Sequence, residues 1–458
     1  MNKTCIALAG CLLASACGQS DNHGRSAPAP PAERAPSVPG ASASASPANP
    51  ATPAVEAEVA EPGRARSVIA IDTHVDTTQR MLDRGDDPSE SLPGGHLDLP
   101  RMREGGLTGA FFSIWVNPRL FRGPLRWRRT RALIGAVNSF VEAHPDEVAL
   151  CTSGEDVRET HEAGKIAVLM GLEGAHAFGT DDRDTLLERL QWVHAQGVRY
   201  LSPTWSVDSP LGHSSTGDAP EEGLTPLGRE VIRRMNEIGM VIDVSHVSDQ
   251  TFWDIIRLTR RPVFASHSSV HSLSEHPRNM NDEMIRAVGA NGGAVCVNYF
   301  THYIDVAYRD RRRALKAAHP ERFAAISAAH EGDWIGRGQA EAALALELDP
   351  QIAPPDLGTL GEHFERIVRI GGMGAACLGS DFDGIPELPS GMSDVSDLGH
   401  LADELERRSL NVESIFGGNV LRILDAQTTT MPTRAPAGTA APGTPVADTT
   451  SANTAQDD

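Results

Sequence analysis

Short aliphatic runs recur along the middle of the chain, bounded by turn residues and separated mostly by amphipathic stretches. Runs that are apolar on both faces are typical of strands in a parallel sheet, and helices are the usual connections between such strands. In chain order the runs are SVIAIDTH, LTGAFFSIWV, KIAVLMGLEG, VRYLSPTW, GMVIDVSH, RPVFASHSS, GGAVCVNYF and AACLGSDFDG. Eight such units predict an α/β fold of the (β/α)8, or TIM barrel, class.

The connecting segments support this interpretation. In TPLGREVIRRMNEIG, the spacing of Leu227, Val231 and Met235 predicts a helix with these residues on its buried face, while Arg229 and Arg233 face away. An open, doubly wound sheet would also alternate strands with helices, but it collects ligands mainly at one switch point. Here polar residues end many of the strands, which is where a barrel collects its active site, so we favour the barrel.

The two ends of the chain differ from the block over 66–425 that we assign to the barrel. Residues 1–16 combine a basic start, a short apolar run and small residues, which is typical of a lipoprotein-type signal peptide. Residues 17–65, rich in Ala, Pro and Ser, predict a disordered tether, and residues 426–458, rich in Thr, Ala and Pro, predict a disordered tail.

Two cysteines could carry the lipid. LAGC, ending at Cys11, matches a lipidation sequence more closely, but the apolar run before it is very short, so we assign the lipid to Cys17. The chain would then be exported and anchored in the periplasm or at the outer membrane through its N-terminal lipid. An ordinary signal peptide, cut to release a soluble periplasmic protein, is the alternative.

The net charge limits the possible partners, and the remaining cysteines bear on the possible disulfides. The net charge of -20 argues against nucleic acid, which requires a basic surface. Cys151, Cys296 and Cys377 remain after the signal region, and the last two lie inside apolar runs. We therefore expect these three to be buried, small hydrophobic residues rather than a disulfide framework.

Metal-binding or acid–base side chains end five of the predicted strands. In chain order they are His74 with Asp76, Glu173, His246, His267 and Asp381. Taken singly, each could be a polar strand end or part of a salt bridge. A buried cluster of three imidazoles and three carboxylates without a metal would be costly, however, because unpaired charges would lie away from water. The set therefore predicts one or two divalent ions, with zinc first by ligand type.

The motifs IDTHVD, GLEGAH, DVSHVS, ASHSS, HPRNMND and LGSDFDG occur in this order, and together they resemble the membrane (renal) dipeptidase family of zinc peptidases. The resemblance covers the whole central block. It implies a barrel of the metal-dependent hydrolase type that hydrolyses dipeptides, including L,D-dipeptides, with a hydroxide bridging two zinc ions. The implied ligands are His74 and Asp76 on one ion, His246 and His267 on the other, and Glu173 between them.

The resemblance also implies roles beyond the metals. Arg278 would bind the substrate carboxylate, which suits a guanidinium fork. Asp381 would take the proton of the attacking water and pass it to the leaving amine. Trp205 stands where the family commonly has a histidine that contacts the substrate carbonyl, so oxyanion stabilisation is expected to be weaker or differently supplied. His213, in a Gly/Ser-rich loop, is a candidate substitute, although we expect a solvated loop histidine.

Two other functions fit the same residues. One is a related binuclear-zinc amidohydrolase acting on N-acyl amino acids, lactones or β-lactams, and the other is a catalytically weakened surface lipoprotein that uses the barrel for binding. The segment from about 301 to 357 is longer than a strand-to-helix connection needs. Its parts RDRRRALKAAHPERFAAISAAH and QAEAALALELD predict helices, which would form a lid or a homodimer contact.

Overall fold

A computed structural model describes residues 68–330 and 333–428, and within these ranges nine strands form one parallel sheet. Their order is β6-β5-β4-β2-β1-β9-β8-β7, with β3 paired to β4. All eight predicted strands are present, which confirms the (β/α)8 barrel. The strands are β1 (Ile71–Val75), β2 (Gly109–Trp115), β3 (Val148–Leu150), β4 (Ile166–Glu173), β5 (Val198–Ser202), β6 (Val241–Ile242), β7 (Phe264–Ala265), β8 (Ala294–Val297) and β9 (Ala376–Leu378).

The barrel closes between β6 and β7 with little backbone pairing. A single parallel bridge joins Asp243 to Phe264, and the Val244 amide donates to the Phe264 carbonyl at 2.8 Å. The Asp243 carboxylate adds a side-chain link, because it accepts from the Ser266 amide at 2.8 Å and the Ser266 hydroxyl at 2.7 Å. This seam is therefore held as much by side chains as by a strand ladder.

Fifteen α-helices within the described ranges connect and surround the strands. They are α1 (Thr77–Asp83), α2 (Leu99–Gly105), α3 (Pro124–Ala143), α4 (Gly154–Glu162), α5 (Arg183–Ala195), α6 (Pro226–Ile238), α7 (Asp249–Leu258), α8 (Asp282–Ala290), α9 (Thr301–Ile304), α10 (Val306–Ala318), α11 (Pro320–Ala329), α12 (Trp334–Leu348), α13 (Leu357–Gly371), α14 (Leu398–Arg407) and α15 (Asn419–Thr428). Short 3₁₀ turns occur at Ala175–Phe178, Met373–Ala375 and Val395–Asp397, and a π-helical turn at Ser414–Gly418.

Helix α6 shows how local sequence sets these elements. The Thr225 side chain accepts from the Gly228 amide at 3.0 Å and caps the start, where Pro226 needs no hydrogen-bond partner. Gly239 ends the helix with a φ of 70°, a conformation that glycine adopts without strain. Val231 and Met235 are buried, as the spacing predicts.

The two stretches of the 301–357 segment that were predicted to be helical are helical. The first stretch spans α10 and α11, because Pro320 cannot donate a backbone hydrogen bond and occupies the first turn of a new helix. Helix α10 is fixed near the carboxyl end of the barrel, where Arg312 pairs with Glu387 at 3.0 Å. A lid or a dimer contact stays a prediction for these helices.

The strand interiors carry two sets of side chains that face opposite ways. Along β4, Val168, Met170 and Leu172 pack toward the helices, whereas Ala167 and Leu169 pack inside the barrel. The same alternation brings Glu173 to the inner side at the strand end. Gly171 makes room for the ring of Tyr200, since a Cβ there would lie 1.9 Å from the Tyr200 Cζ.

The cysteine prediction is correct for Cys151 and wrong for the other two. Cys151 is buried and free, but Cys296 and Cys377 form a disulfide. The two residues are direct partners in the register of the parallel strands β8 and β9, so their side chains meet inside the barrel. They are 81 residues apart in sequence, which is why an apolar run around each one gave no sign of the pairing.

The predicted boundaries are only partly within the described residues. The signal peptide (1–16), the tether (17–65) and Cys17 lie outside them, as does the tail beyond Thr428. Helix α15 continues past the expected limit at 425, since Gln427 is buried and its side chain donates to the Pro262 carbonyl at 3.1 Å. Among the described residues, no helix combines the length and apolar character needed to cross a membrane.

Candidate metal centre

The predicted ligands converge at the carboxyl end of the barrel. One oxygen of Glu173 lies 2.8 Å from His246 Nε2 and 3.4 Å from His267 Nε2, and its other oxygen lies 3.5 Å from His74 Nε2. His74 Nε2 also lies 3.7 Å from an Asp76 oxygen. The structure therefore brings together every residue that the sequence assigns to metal binding.

The ligand atoms fall into two overlapping groups. His74, Glu173 and His267 form one group whose ligand atoms all lie within 4.8 Å of one another, and His74, Asp76 and Asp381 form the other. The second group places Asp381 within reach of a cation as well as of a reacting water. The grouping around His74 differs from the implied split of ligands between two ions, which stays a prediction.

The three imidazoles of the cluster differ in protonation. Burial favours the neutral form of His74, but Tyr200 and the carboxylates of Glu173 and Asp76 outweigh it and raise the pKa of His74 well above its ordinary value, so a metal ion would take the place of this proton. Burial and the nearby charge of Arg278 lower the pKa of His246 to about 3, and burial lowers the pKa of His267 well below its ordinary value. Both imidazoles are therefore neutral near pH 7, the form that binds a metal. Burial favours the protonated form of Glu173, but the charge of His74 and hydrogen bonds with His246 and His267 outweigh it and hold the pKa of Glu173 well below the ordinary value.

Two buried atoms in the cluster lack hydrogen-bond partners among the described residues. They are His74 Nε2 and Asp76 Oδ1, and both belong to side chains that face the other ligands. Burying such atoms without a partner is costly. A divalent metal ion would satisfy both, so the residues present fit the metal site that the sequence predicts.

Hydroxyl groups orient all three imidazoles. Tyr200 Oη lies 2.8 Å from His74 Nδ1, Ser266 Oγ lies 2.7 Å from His267 Nδ1, and Ser206 Oγ lies 3.3 Å from His246 Nδ1. Each contact occupies the ring nitrogen that faces away from the cluster. The opposite nitrogen, Nε2, is thereby left for a metal, as is usual for metal-binding histidines.

Replacing Tyr200 by phenylalanine tests this orientation. Tyr200→Phe keeps the ring that packs between Phe111 and Phe264 but removes the hydrogen bond to His74. We expect a zinc affinity about 10–100-fold weaker, measured by competition with a chelator. Tyr299→Phe is the matched control, because the buried Tyr299 hydroxyl has no hydrogen-bond partner among the described residues. Equal zinc affinities for the two variants would refute the orienting role.

Asp381 is held in an unusual backbone conformation. Its φ is 66°, and that of His246 is 68°, both in a region that residues other than glycine rarely occupy. Asn298 Nδ2 donates to Asp381 Oδ2 at 3.0 Å and fixes the carboxylate. Burial, together with the neighbouring carboxylates of Asp76 and Glu173, raises the pKa of Asp381 to about 8. At this pKa the Asp381 side chain is mostly protonated at pH 7 in the metal-free site, and a bound cation would favour the carboxylate form that accepts a proton.

Arg278 is buried beside the cluster. Its guanidinium donates to the His267 carbonyl at 3.1 Å and to the Ser268 hydroxyl at 3.4 Å, and lies 5.7 Å from the ring centre of Tyr303. Within the described ranges no carboxylate pairs with it, and its Nε has no hydrogen-bond partner. A buried, unpaired positive charge is suited to an anionic group of a substrate.

Trp205 lies at one side of the same cluster. Its ring centre is 6.2 Å from that of His246 and 5.0 Å from that of Trp115. His213 lies in its loop between Asp208 and Glu222, with a carboxylate oxygen of each 3.3 Å from one of its ring nitrogens, and its substitution for the family histidine stays a prediction. Substrate binding by Trp205 stays a prediction.

Sequence reasoning did not single out Tyr200, Asn298 or Tyr303. Asn298 follows β8 directly, and a polar residue at that strand end was a usable signal. Tyr200 lies within β5 and meets His74 across 126 residues, which no local pattern reveals. Tyr303 belongs to the short helix α9, within the segment for which only helices were expected.

Comparison with known proteins agrees with this geometry. The family described as membrane dipeptidase (peptidase family M19) matches residues 64–436. An uncharacterized dipeptidase of Schizosaccharomyces pombe is 31% identical over 353 residues, covering 72% of this chain and 71% of the relative.

Solved structures show the same fold. The probable dipeptidase PvdM of Pseudomonas aeruginosa superposes with a TM-score of 0.66 at 24% identity, covering 79% of this chain and 96% of that one. A metallo peptidase of Rhodobacter sphaeroides, liganded with a phosphinate mimic of the dipeptide L-Ala-D-Ala, gives 0.63 at 24% identity, covering 79% and 99%. The chain belongs to the membrane dipeptidase family, peptidase family M19, and is a metal-dependent dipeptidase.

Proposed function

We propose that the protein hydrolyses dipeptides with two zinc ions held by His74, Asp76, Glu173, His246 and His267. One observation carries the proposal: the two oxygens of Glu173 face different imidazoles. One oxygen lies near His246 and His267, and the other lies near His74. A carboxylate placed in this way is suited to bridge two ions.

The protein residues supply the remaining chemistry. Zinc ions in this site would activate a water molecule and polarise the peptide carbonyl. Asp381 accepts the proton of that water and passes it to the leaving amine, while Asn298 keeps its carboxylate oriented. Trp205, beside His246, borders the position of the substrate. Its indole can offer one hydrogen bond there.

Arg278 defines the substrate class. Its buried guanidinium has no carboxylate partner among the described residues, so a substrate with a free C-terminal carboxylate would complete the ion pair. A dipeptide brings this carboxylate within one residue of the scissile bond. The Rhodobacter sphaeroides relative carries a mimic of L-Ala-D-Ala, which supports the further proposal that L,D-dipeptides are accepted.

The location of the reaction is also a proposal. Residues 1–17 have the composition of a lipoprotein signal with Cys17 as the lipidated residue. The disulfide between Cys296 and Cys377 supports an oxidising compartment, in which such bonds form and persist. We therefore propose that the protein acts after export, anchored to a membrane by its lipid.

A substrate panel tests the proposed function. Metal-free protein, reloaded with zinc, is given L-Ala-L-Ala, L-Ala-D-Ala, L-Ala-D-Ala amide and N-acetyl-L-Ala, and the released amine or acid is measured. We expect both free dipeptides to be cleaved and the amide to react at least about 10²-fold more slowly, because Arg278 loses its partner.

The other outcomes discriminate among the functions. Turnover of the N-acyl amino acid without turnover of either dipeptide would favour the related amidohydrolase. Failure to bind zinc and to cleave any compound would favour the catalytically weakened surface lipoprotein that uses the barrel for binding.

A further inference from the structure

We propose that a patch beside the mouth of the barrel binds the surface of an anionic lipid bilayer. The patch, here called the arginine–leucine patch, follows the carboxyl end of β2 and includes the first turns of α3. It therefore lies at the same end of the barrel as the metal centre. Its members are Arg119, Leu120, Arg122, Leu125, Arg128 and Arg131.

The patch is basic in an acidic protein. Six arginines occur from Arg119 to Arg131, end residues included, and no aspartate or glutamate occurs between Glu104 and Glu142. The whole chain nevertheless has a net charge of -20. Positive charge is thus concentrated at one site, and such concentration favours an anionic partner.

Two leucines project from this basic surface. Leu120 is 74% exposed and Leu125 is 50% exposed, two of the most exposed large apolar side chains of the described residues. Their arginine neighbours at 119, 122 and 128 are exposed as well. Apolar side chains surrounded by arginines match the interfacial region of a bilayer, in which acyl chains lie just beneath charged headgroups.

The charges of the patch are not neutralised by any carboxylate of the described residues. Within the described ranges, none of the four arginines of the patch pairs with a carboxylate, whereas the neighbouring Arg129 pairs with Asp83 at 2.6 Å. Arg126 donates to the Phe121 carbonyl, and burial together with the charge of Arg122 lowers its pKa. The guanidinium groups of this segment repel one another, so an anionic surface that bound them would reduce the repulsion.

Packing contacts between neighbouring side chains support the patch. The guanidinium of Arg129 lies 5.3 Å from the ring centre of Phe121, and Trp127 packs against Trp192 with ring centres 5.2 Å apart. Pro124 begins α3, and Gly123 before it has a φ of 50°. The exposed leucines are therefore presented by an ordered turn and a helix.

The composition of the patch favours a bilayer over other partners. In a symmetric dimer the patch would meet a copy of itself and bring arginines against arginines, with no acidic residue to pair with them. A nucleic acid or a small soluble anion would use the arginines but leave the leucines without a role. An anionic bilayer uses both kinds of side chain.

Vesicle binding tests the proposal. The zinc-loaded chain with Cys17→Ser, in which no lipid on that residue contributes, is sedimented with phosphatidylcholine vesicles with and without phosphatidylglycerol. We expect binding only to the vesicles that contain phosphatidylglycerol, with weaker binding as salt is raised. Arg119→Gln/Arg122→Gln and Leu120→Ser/Leu125→Ser should each lower the partition coefficient by about tenfold or more, with unchanged cleavage of a soluble dipeptide.

Matched controls keep the result specific. Arg233→Gln/Arg260→Gln removes two exposed arginines outside the patch that also lack a carboxylate partner among the described residues, and Leu346→Ser removes a leucine that is 53% exposed. These variants should bind vesicles like the parent. Absence of binding by the parent, or equal losses in patch and control variants, would overturn the proposal. So would a dimer in sedimentation velocity that Leu120→Ser/Leu125→Ser dissociates without any vesicle binding by the parent.

Discussion

Asp381→Asn lowers kcat/KM for a dipeptide by about 10²–10⁴-fold, the usual contribution of a positioned acid–base group. Asparagine keeps the size of the side chain but does not accept a proton from water at neutral pH. It also tolerates the positive φ of this position better than most residues, so the fold should be unchanged. Steady-state kinetics with zinc-loaded protein measures the effect.

Zinc content distinguishes the two roles open to Asp381. If it acts by moving a proton, the variant retains its zinc, whereas a ligand role, suggested by its closeness to His74 and Asp76, predicts loss of zinc. Asp146→Asn, at an exposed position away from the centre, is the control and should have parental activity. Activity of Asp381→Asn within a few-fold of the parent would show that the proton-transfer role is wrong.

Glu173→Gln abolishes tight zinc binding and reduces dipeptide hydrolysis by more than about 10²-fold, a larger loss than removal of an orienting partner causes. The substitution replaces a buried charge that touches the imidazoles of His246, His267 and His74 with a neutral amide. Cations held at this place would lose their central counter-charge. Zinc per chain, measured by mass spectrometry after dialysis, reports the change directly.

Thermal unfolding separates this loss from a folding defect. The metal-free forms of Glu173→Gln and the parent should unfold at similar temperatures, while added zinc should raise the midpoint of the parent alone. Glu188→Gln, on the exposed side of α5, should behave as the parent in both measurements. A Glu173→Gln variant that keeps a full complement of zinc would rule out the bridging role.

The barrel and the predicted metal ligands were accessible from sequence because their signals are local. A buried strand leaves an apolar run, and a functional side chain at its end stands within that run or a few residues from it, as His74 does near the end of β1. Parallel strands of a barrel all end on the same side, so the residues that follow them meet without any further information. The order of the motifs then supplied the family.

Features that depend on how distant segments pack against one another could not be predicted from the sequence. Whether Cys296 faces Cys377 depends on the register of β8 against β9. The contact of Tyr200 with His74 needs the ring to cross the barrel through the space that Gly171 leaves free. The extra strand β3 is only three residues long, too short for periodicity to reveal it. These features depend on packing between distant segments, which a local sequence pattern does not reveal.

Few backbone hydrogen bonds join β6 to β7 where the barrel closes, so a bound metal would also stabilise the fold. His246 follows β6 and His267 follows β7, so the two imidazoles stand on opposite sides of the seam, with Nε2 atoms 2.9 Å apart. A cation held by both imidazoles would link β6 to β7, where few backbone hydrogen bonds connect the strands. Zinc would then be a cross-link of the fold as well as a catalyst, and its loss would first raise the amide exchange of these two strands, before the rest of the barrel opens.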